Sequence, residues 1–200
     1  MKEIVLASSN PGKVREINQL LATLDLHVRP QSEFGVIDAE ETGLTFVENA
    51  ILKARNAAQH TGLPAIADDS GIEVDALNGA PGIYSARFAG DNASDQANLE
   101  KLLAELKGLP EAQRSARFQC LMVFMEHAKD PTPLICQGIW EGRILTAARG
   151  NNGFGYDPVF YVPTHDCTSA ELPADVKNAL SHRGQALRQL VDALQHYRER

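Results

Sequence analysis

Apolar residues along the chain switch between two spacings, and the switches mark the elements. Ile4 to Ala7 is a compact apolar run and predicts a buried strand. After the turn formers Ser8-Ser9-Asn10-Pro11-Gly12-Lys13, the residues Val14, Ile17, Leu20, Leu21 and Leu24 recur at helical spacing. A second helix is predicted from Thr45, whose spacing to Glu48 is that of a capping box. Val47, Ala50, Ile51, Ala54 and Ala57 or Ala58 supply its buried stripe, and Asn49, Lys53 and Asn56 share another face. Ala65-Ile66-Ala67 predicts a buried strand that opens into a loop at Asp68-Asp69-Ser70-Gly71. Ile72, Val74 and Ala76 then alternate with Glu73 and Asp75 as a half-exposed strand. Leu99, Leu102, Leu103 and Leu106 mark a third helix, capped near Ser94 and ended by Gly108 and Pro110. Phe118 to Met125 is strand-like. Leu134 to Trp140 and Gly142 to Thr146 read as two strands turning at Glu141-Gly142, with Val159 to Val162 as another. Ala170 to Leu180 is a broken helical segment, interrupted by Ser181-His182-Arg183-Gly184. A last helix buries Ala186, Leu187, Leu190, Val191 and Leu194. A first half rich in strand–helix units, followed by consecutive strands, predicts an α/β fold with a mixed sheet.

Composition narrows the class. At 44% hydrophobic and 22% charged, 200 residues suffice for one globular domain, 1–200, with a real core. A net charge of −7 argues against a nucleic-acid-binding surface. It leaves room for a small phosphorylated substrate held by a few cations and a metal. The three cysteines, Cys120, Cys136 and Cys167, form no CxxC pair and read as reduced, structural thiols. The N-terminal apolar run is too short for a signal peptide or a membrane span, so a cytoplasmic protein is expected.

Candidate chemistry gathers at polar breaks in this pattern. Two adjacent aspartates, Asp68 and Asp69, are costly to bury without a cation between them, and Mg²⁺ is the usual hard-oxygen partner. A solvated turn is the plainer alternative. Glu40 and Glu41 either complete that carboxylate cluster or are solvated, and spacing does not decide. Strand, small polar loop, lysine and helix at Ser8–Lys13 form a phosphate-binding arrangement without the glycine spacing of a Walker A loop. Between Arg149 and Pro158, glycines surround Phe154 and Tyr156. These rings offer a stacking face or are pinned in the core. Ser181, His182 and Arg183, with Lys177 nearby, form a dense polar cluster.

The motifs Ser8–Lys13, Glu40-Glu41-Thr42-Gly43 with Thr45-Phe46-Val47-Glu48-Asn49-Ala50, Ala67–Gly71, Gly153–Pro158 and Ser181–Ala186 follow one another along the whole chain. In that order they resemble the inosine/xanthosine triphosphate pyrophosphatase family, and its bacterial dITP/XTP pyrophosphatase members most. Ser8-Ser9 stands where a Thr-Gly pair is common in that family. The resemblance implies an elongated, two-lobed α/β fold with a central mixed β-sheet flanked by helices and an active-site cleft between the lobes. It also implies a homodimer, Mg²⁺ dependence, and cleavage of ITP, dITP and XTP to monophosphate and pyrophosphate. By the same resemblance, Ser8, Ser9, Asn10, Pro11, Gly12, Lys13 and Ser70 would take the phosphates. Glu40 and Asp69 would hold Mg²⁺, with Asp68 and Glu41 beside them, and Asp69 would act as base on the attacking water. Phe154 would stack on the purine with Gly155 and Tyr156 nearby, while Asp157, Lys177, His182 and Arg183 read its edge. A related septum-associated nucleotide pyrophosphatase and a nucleotide sensor without turnover are the rival functions.

Overall fold

The computed structural model describes residues 3–21 and 27–198. Leu24 and the side chain of Leu20 lie outside the described residues. The chain begins with β1 (Glu3–Leu6), α1 (Pro11–Leu21) and β2 (His27–Pro30). Next come α2 (Phe46–Thr61), β3 (Ala65–Val74), α3 (Asp95–Glu105), β4 (Ser115–Met125) and β5 (Leu134–Ile144). It closes with β6 (Phe160–Val162), β7 (Cys167–Thr168), α4 (Ala174–Leu180) and α5 (His182–Arg198). The strands join one seven-stranded sheet in the order β2-β1-β3-β4-β5-β6-β7. β1 runs parallel to β2 and β3, whereas β6 is antiparallel to β5 and β7, so the sheet is mixed as expected.

The chain divides into two compact units. The first comprises 1–69, 120–138 and 183–200; the second comprises 70–119 and 139–182. In the first unit, period-2 alternation gives the strands two apolar faces. Ile4, Leu6, Ile66, Cys120 and Met122 pack with Ile17 and Leu21 of α1 and with Ala186, Leu187, Leu190 and Leu194 of α5. On the other side Val5, Ala7, Ala65, Ala67 and Val123 pack with Ala50, Ala54, Ala57 and Ala58 of α2. The small alanine stripe brings α2 close to the sheet. In the second unit Ile72, Val74, Phe118, Trp140, Tyr156 and Phe160 surround Leu99, Leu102 and Leu106 of α3.

Local sequence chemistry sets the helix starts. Thr45 caps α2, its hydroxyl accepting from Glu48 N at 3.3 Å while Glu48 Oε2 accepts from Leu44 N at 2.9 Å. Ser94 caps α3 by accepting from Ala97 N at 3.1 Å.

Three expectations are corrected. The Asp68-Asp69-Ser70-Gly71 stretch is not a loop but the middle of β3, a ten-residue strand. Alternation sends the two aspartates to opposite faces, each toward a cation, so the strand need not open to solvate them. β5 likewise runs through Glu141-Gly142 without turning. Gly142 serves close packing: a Cβ there would stand 2.5 Å from Tyr161 O and 2.6 Å from Phe160 Cζ. Finally, only Ser181, extended at φ −62° and ψ 153°, separates α4 from α5. His182, Arg183 and Gly184 form the first turn of α5.

Candidate active site

Parallel pairing of β1 with β3 sets Leu6 opposite Ile66, and Ala7 N donates to Ile66 O at 2.8 Å. The loop leaving β1 therefore starts beside Asp68. Asn10 Oδ1 accepts from Gly12 N at 2.9 Å and Lys13 N at 3.1 Å, capping α1 with Pro11 in its first turn. Ser8 is buried and its Oγ accepts from Asn10 N at 3.3 Å. The Ser9 hydroxyl donates to Asp38 Oδ1 at 2.7 Å and accepts from Gln31 Nε2 at 3.3 Å. Lys13 reaches back, its Nζ 3.0 Å from Asp68 Oδ2.

Asp68 and Asp69 are 1% and 6% exposed, too little for water to carry their charge. On one face of β3, Asp68 Oδ2 also accepts from Arg183 Nη2 at 3.3 Å, and the same guanidinium bonds Glu16 of α1 through Nη1. Burial alone would raise the Asp68 carboxyl, but Lys13, Arg183 and Lys53 outweigh it and hold it well below the carboxylate range. Burial also works against the Arg183 charge, and Asp68 with Glu16 overcomes that and pushes it up. On the other face Lys53 Nζ lies 2.7 Å from Asp69 Oδ1 and 2.9 Å from Glu41 Oε1. Here burial prevails: it raises the Asp69 carboxyl against the pull of Lys53 and Lys13. Among the described residues, Asp68 Oδ1, Asp69 Oδ2 and Asn49 Nδ2 are buried without a hydrogen-bond partner.

The acidic loop ahead of α2 is fixed by that helix. Gly43 N donates to Asn49 Oδ1 at 2.8 Å. A Cβ on Gly43 would lie 2.6 Å from Glu48 Cβ, so only glycine lets the loop press this closely. The outcome is that Glu41 shares Lys53 with Asp69, while Glu40 is exposed. No three Asp, Glu, His or Cys side chains converge as a metal cage among the described residues.

A second group lies in the second unit. Asp157, 3% exposed, accepts from Ser169 Oγ at 2.8 Å through Oδ1 and from Phe154 N at 2.9 Å through Oδ2. Lys177 Nζ bonds that same Oδ2 at 2.7 Å and stands 5.1 Å from the centre of the partly exposed Phe154 ring. Gly153 has φ +76°, and a Cβ there would fall 2.0 Å from Asp157 Oδ2. Gly155 N donates to Asp95 Oδ2 at 2.8 Å. Tyr156 is buried, its hydroxyl donating to Ser85 O at 2.7 Å, so this aromatic is a core anchor and only Phe154 is left partly exposed. His182 is 6% exposed, with its ring stacked 4.7 Å from that of Phe118 at an interplanar angle of 9°.

The model of the Ham1 family matches residues 4–193. The chain belongs to the Ham1 family. A dITP/XTP pyrophosphatase of Vibrio parahaemolyticus is 65% identical to it over 194 residues, 97% of each chain. One of Photorhabdus laumondii is 62% identical, over 98% of this chain and all of the relative. Among solved structures, a HAM1 protein from Coxiella burnetii superposes with a TM-score of 0.91 at 56% identity, covering 98% of this chain and 100% of that one. The Ham1 protein of Staphylococcus aureus gives 0.86 at 46% identity, again over 98% of this chain and 100% of that one.

The first unit thus gathers Lys13, Asp68, Asp69, Glu41 and Arg183 in one acidic centre, and the second unit gathers Phe154, Asp157 and Lys177. Arg183, expected at a base edge, bonds Asp68 and Glu16. Sequence reasoning did not single out Glu16, Lys53 or Asn49 as site residues. Their signals were spacing: Glu16 three residues after Lys13 on α1, and Lys53 one turn after Asn49 on α2.

Proposed function

We propose that this Ham1 protein hydrolyses ITP, dITP and XTP at the α-phosphate, giving the monophosphate and pyrophosphate. These non-standard purine nucleotides are thereby removed before they enter DNA or RNA. The observation that carries this reading is the acidic centre: buried carboxylates on a strand, ringed by Lys13, Lys53 and Arg183, with carboxylate oxygens left unpartnered. Support comes from relatives of 60–65% identity named dITP/XTP pyrophosphatases.

The donors fit a hard divalent cation such as Mg²⁺, because Asp69 and Glu41 offer only oxygens and already converge on one positive charge, Lys53 Nζ, at 2.7 Å and 2.9 Å. Asp69 and Glu41 would hold it, with Asp68 and Glu40 beside them. When bound, it supplies charge against the phosphates and makes a water more acidic. Asp69 takes the proton of the attacking water. Oδ2, which has no hydrogen-bond partner among the described residues, is the oxygen that receives it. The water oxygen bonds to the α-phosphorus as the bond to the bridging oxygen breaks, and pyrophosphate leaves. The Gly12 and Lys13 amides are already satisfied by Asn10, so the Lys13 ammonium, with Ser8, Ser9 and Ser70, meets the phosphates.

The purine stacks on Phe154, the half-exposed ring of its loop. Lys177 meets the purine edge, oriented by Asp157, while His182 stiffens the start of α5 through its stack on Phe118. An oxygen at C6 can accept from a donor there. Adenine presents an amino group and leaves the donor unpaired in a dry pocket. Arg183 acts in the acidic centre as a counter-charge. A homodimer working in the cytoplasm is part of the same proposal. No helix among the described residues is long and apolar enough to cross a membrane.

Turnover of ITP with Mg²⁺, with phosphate detected with and without inorganic pyrophosphatase and with ATP and GTP as controls, tests the reading. Phosphate that appears only with the coupling enzyme, and chiefly from ITP, is the expected result. Phosphate without it means terminal cleavage and overturns the mechanism.

A further inference from the structure

Lys53 stands where a cation would have to go. Its Nζ is shared between Asp69 Oδ1 at 2.7 Å and Glu41 Oε1 at 2.9 Å. Lys13 and Arg183 occupy Asp68 Oδ2 in the same way, at 3.0 Å and 3.3 Å. The carboxylates of Asp68, Asp69, Glu41 and Glu16 are thus nearly balanced by the protein's own cations. The acceptors left over are Asp68 Oδ1 and Asp69 Oδ2, both buried and both without partners among the described residues.

A divalent cation that came alone to Asp69 and Glu41 would have to evict this ammonium. A buried ammonium that loses its carboxylates has to find another acceptor or lose much of its stabilisation. A triphosphate arriving with the cation provides such acceptors. We propose that Lys53 is a positioning residue that keeps a bare divalent cation off Asp69 and Glu41 and yields only when cation and triphosphate arrive together. The ammonium then moves from carboxylate to phosphate oxygen, and metal and nucleotide enter as one complex. The triphosphate rests on the pyrophosphatase reading above; the competition at Asp69 does not.

Calorimetric titration of Mg²⁺ into nucleotide-free protein tests it, using wild type, Lys53→Met, Lys53→Arg and Lys13→Met. Lys53→Met is expected to bind Mg²⁺ at least tenfold more tightly than wild type. Lys53→Arg keeps the occupying charge and should match wild type. Lys13→Met removes the same charge from Asp68 instead and should gain less than Lys53→Met. Equal gains for the two methionine variants would reduce the effect to net charge and overturn the proposal. So would an unchanged affinity in a Lys53→Met protein with wild-type circular dichroism. If Lys53→Met does not fold, Lys53→Gln, which still hydrogen-bonds both carboxylates, takes its place in the comparison. The ITP product assay on wild type stands apart: absence of pyrophosphate would remove the nucleotide reading and leave the titration to decide the competition.

Discussion

Replacing Arg183 by methionine separates a structural ion chain from a base-reading arginine. The guanidinium is 3% exposed and links Asp68 to Glu16. Methionine keeps most of the buried stem and deletes the charge. Removing one partner of a buried ion pair costs about 3–5 kcal/mol, because the other charge is stranded. Here Lys13 still holds Asp68 at 3.0 Å, and the Glu16 side chain, 16% exposed, retains access to water. The cost should therefore sit at the low end, about 3 kcal/mol, a large share of the 5–15 kcal/mol that typically holds a protein folded. In urea melts that corresponds to a midpoint lower by roughly 1 M or more. Adding Asp68→Asn to Arg183→Met should cost less than the two single losses combined, since the stranded charge is then gone. A destabilisation under about 1 kcal/mol, with ITP turnover lost far more than residual ATP turnover, would refute the argument. It would return Arg183 to the purine edge that the family resemblance implied.

Asp69→Asn should lower kcat for ITP by at least a hundredfold, the scale of a lost general base, while leaving the melting temperature near wild type. A coupled pyrophosphate assay beside a thermal melt checks both. Cys120 is buried and its thiol is pushed up to about 12 by that burial, aided by Asp68. A raised thiol pKa keeps the thiolate scarce below it, so between pH 7 and 9 Cys120 should resist iodoacetamide in the native protein and react once urea unfolds it. Mass spectrometry of the alkylated peptides reads this out, and native labelling at Cys120 would contradict the burial. Gly142→Ala should cost about 1–3 kcal/mol in urea melts, because its methyl meets backbone at Tyr161 O, which cannot swing away.

Much of the fold was legible because local signals and packing agree. The helix starting after Thr45, the cap at Ser94 and the apolar run of β1 all appear where spacing placed them. The errors share one cause: a polar or flexible residue inside an element was taken for its end. At Gly142 the glycine answers to a neighbouring strand, a tertiary reason invisible in a local window. At Asp68-Asp69 the charges are neutralised by Lys13, Arg183 and Lys53 from three different helices. At the start of α5, a single extended serine suffices as the break. In the site, residue types pointed to the acidic pair and the glycine-flanked aromatics. Only coordinates could distinguish Phe154, half-exposed, from Tyr156, buried with its hydroxyl on Ser85 O. Likewise only coordinates show Glu41, rather than Glu40, sharing a lysine with Asp69.

The strand period carries the chemistry. Adjacent residues on β3 face opposite ways, so two carboxylates that would repel in a turn are drawn into different surroundings. Asp68 meets Lys13 and Arg183 between the sheet and α1 and α5, and is fixed as an anion over the whole working range. Asp69 faces α2, where burial outweighs Lys53 and lifts its carboxyl. Neighbouring titratable groups pushed in opposite directions can divide the work of holding charge and moving a proton. A loop at this position, as first expected, would expose both aspartates to water and let them titrate alike. Placing them inside a strand is what gives two neighbouring carboxylates these opposite surroundings.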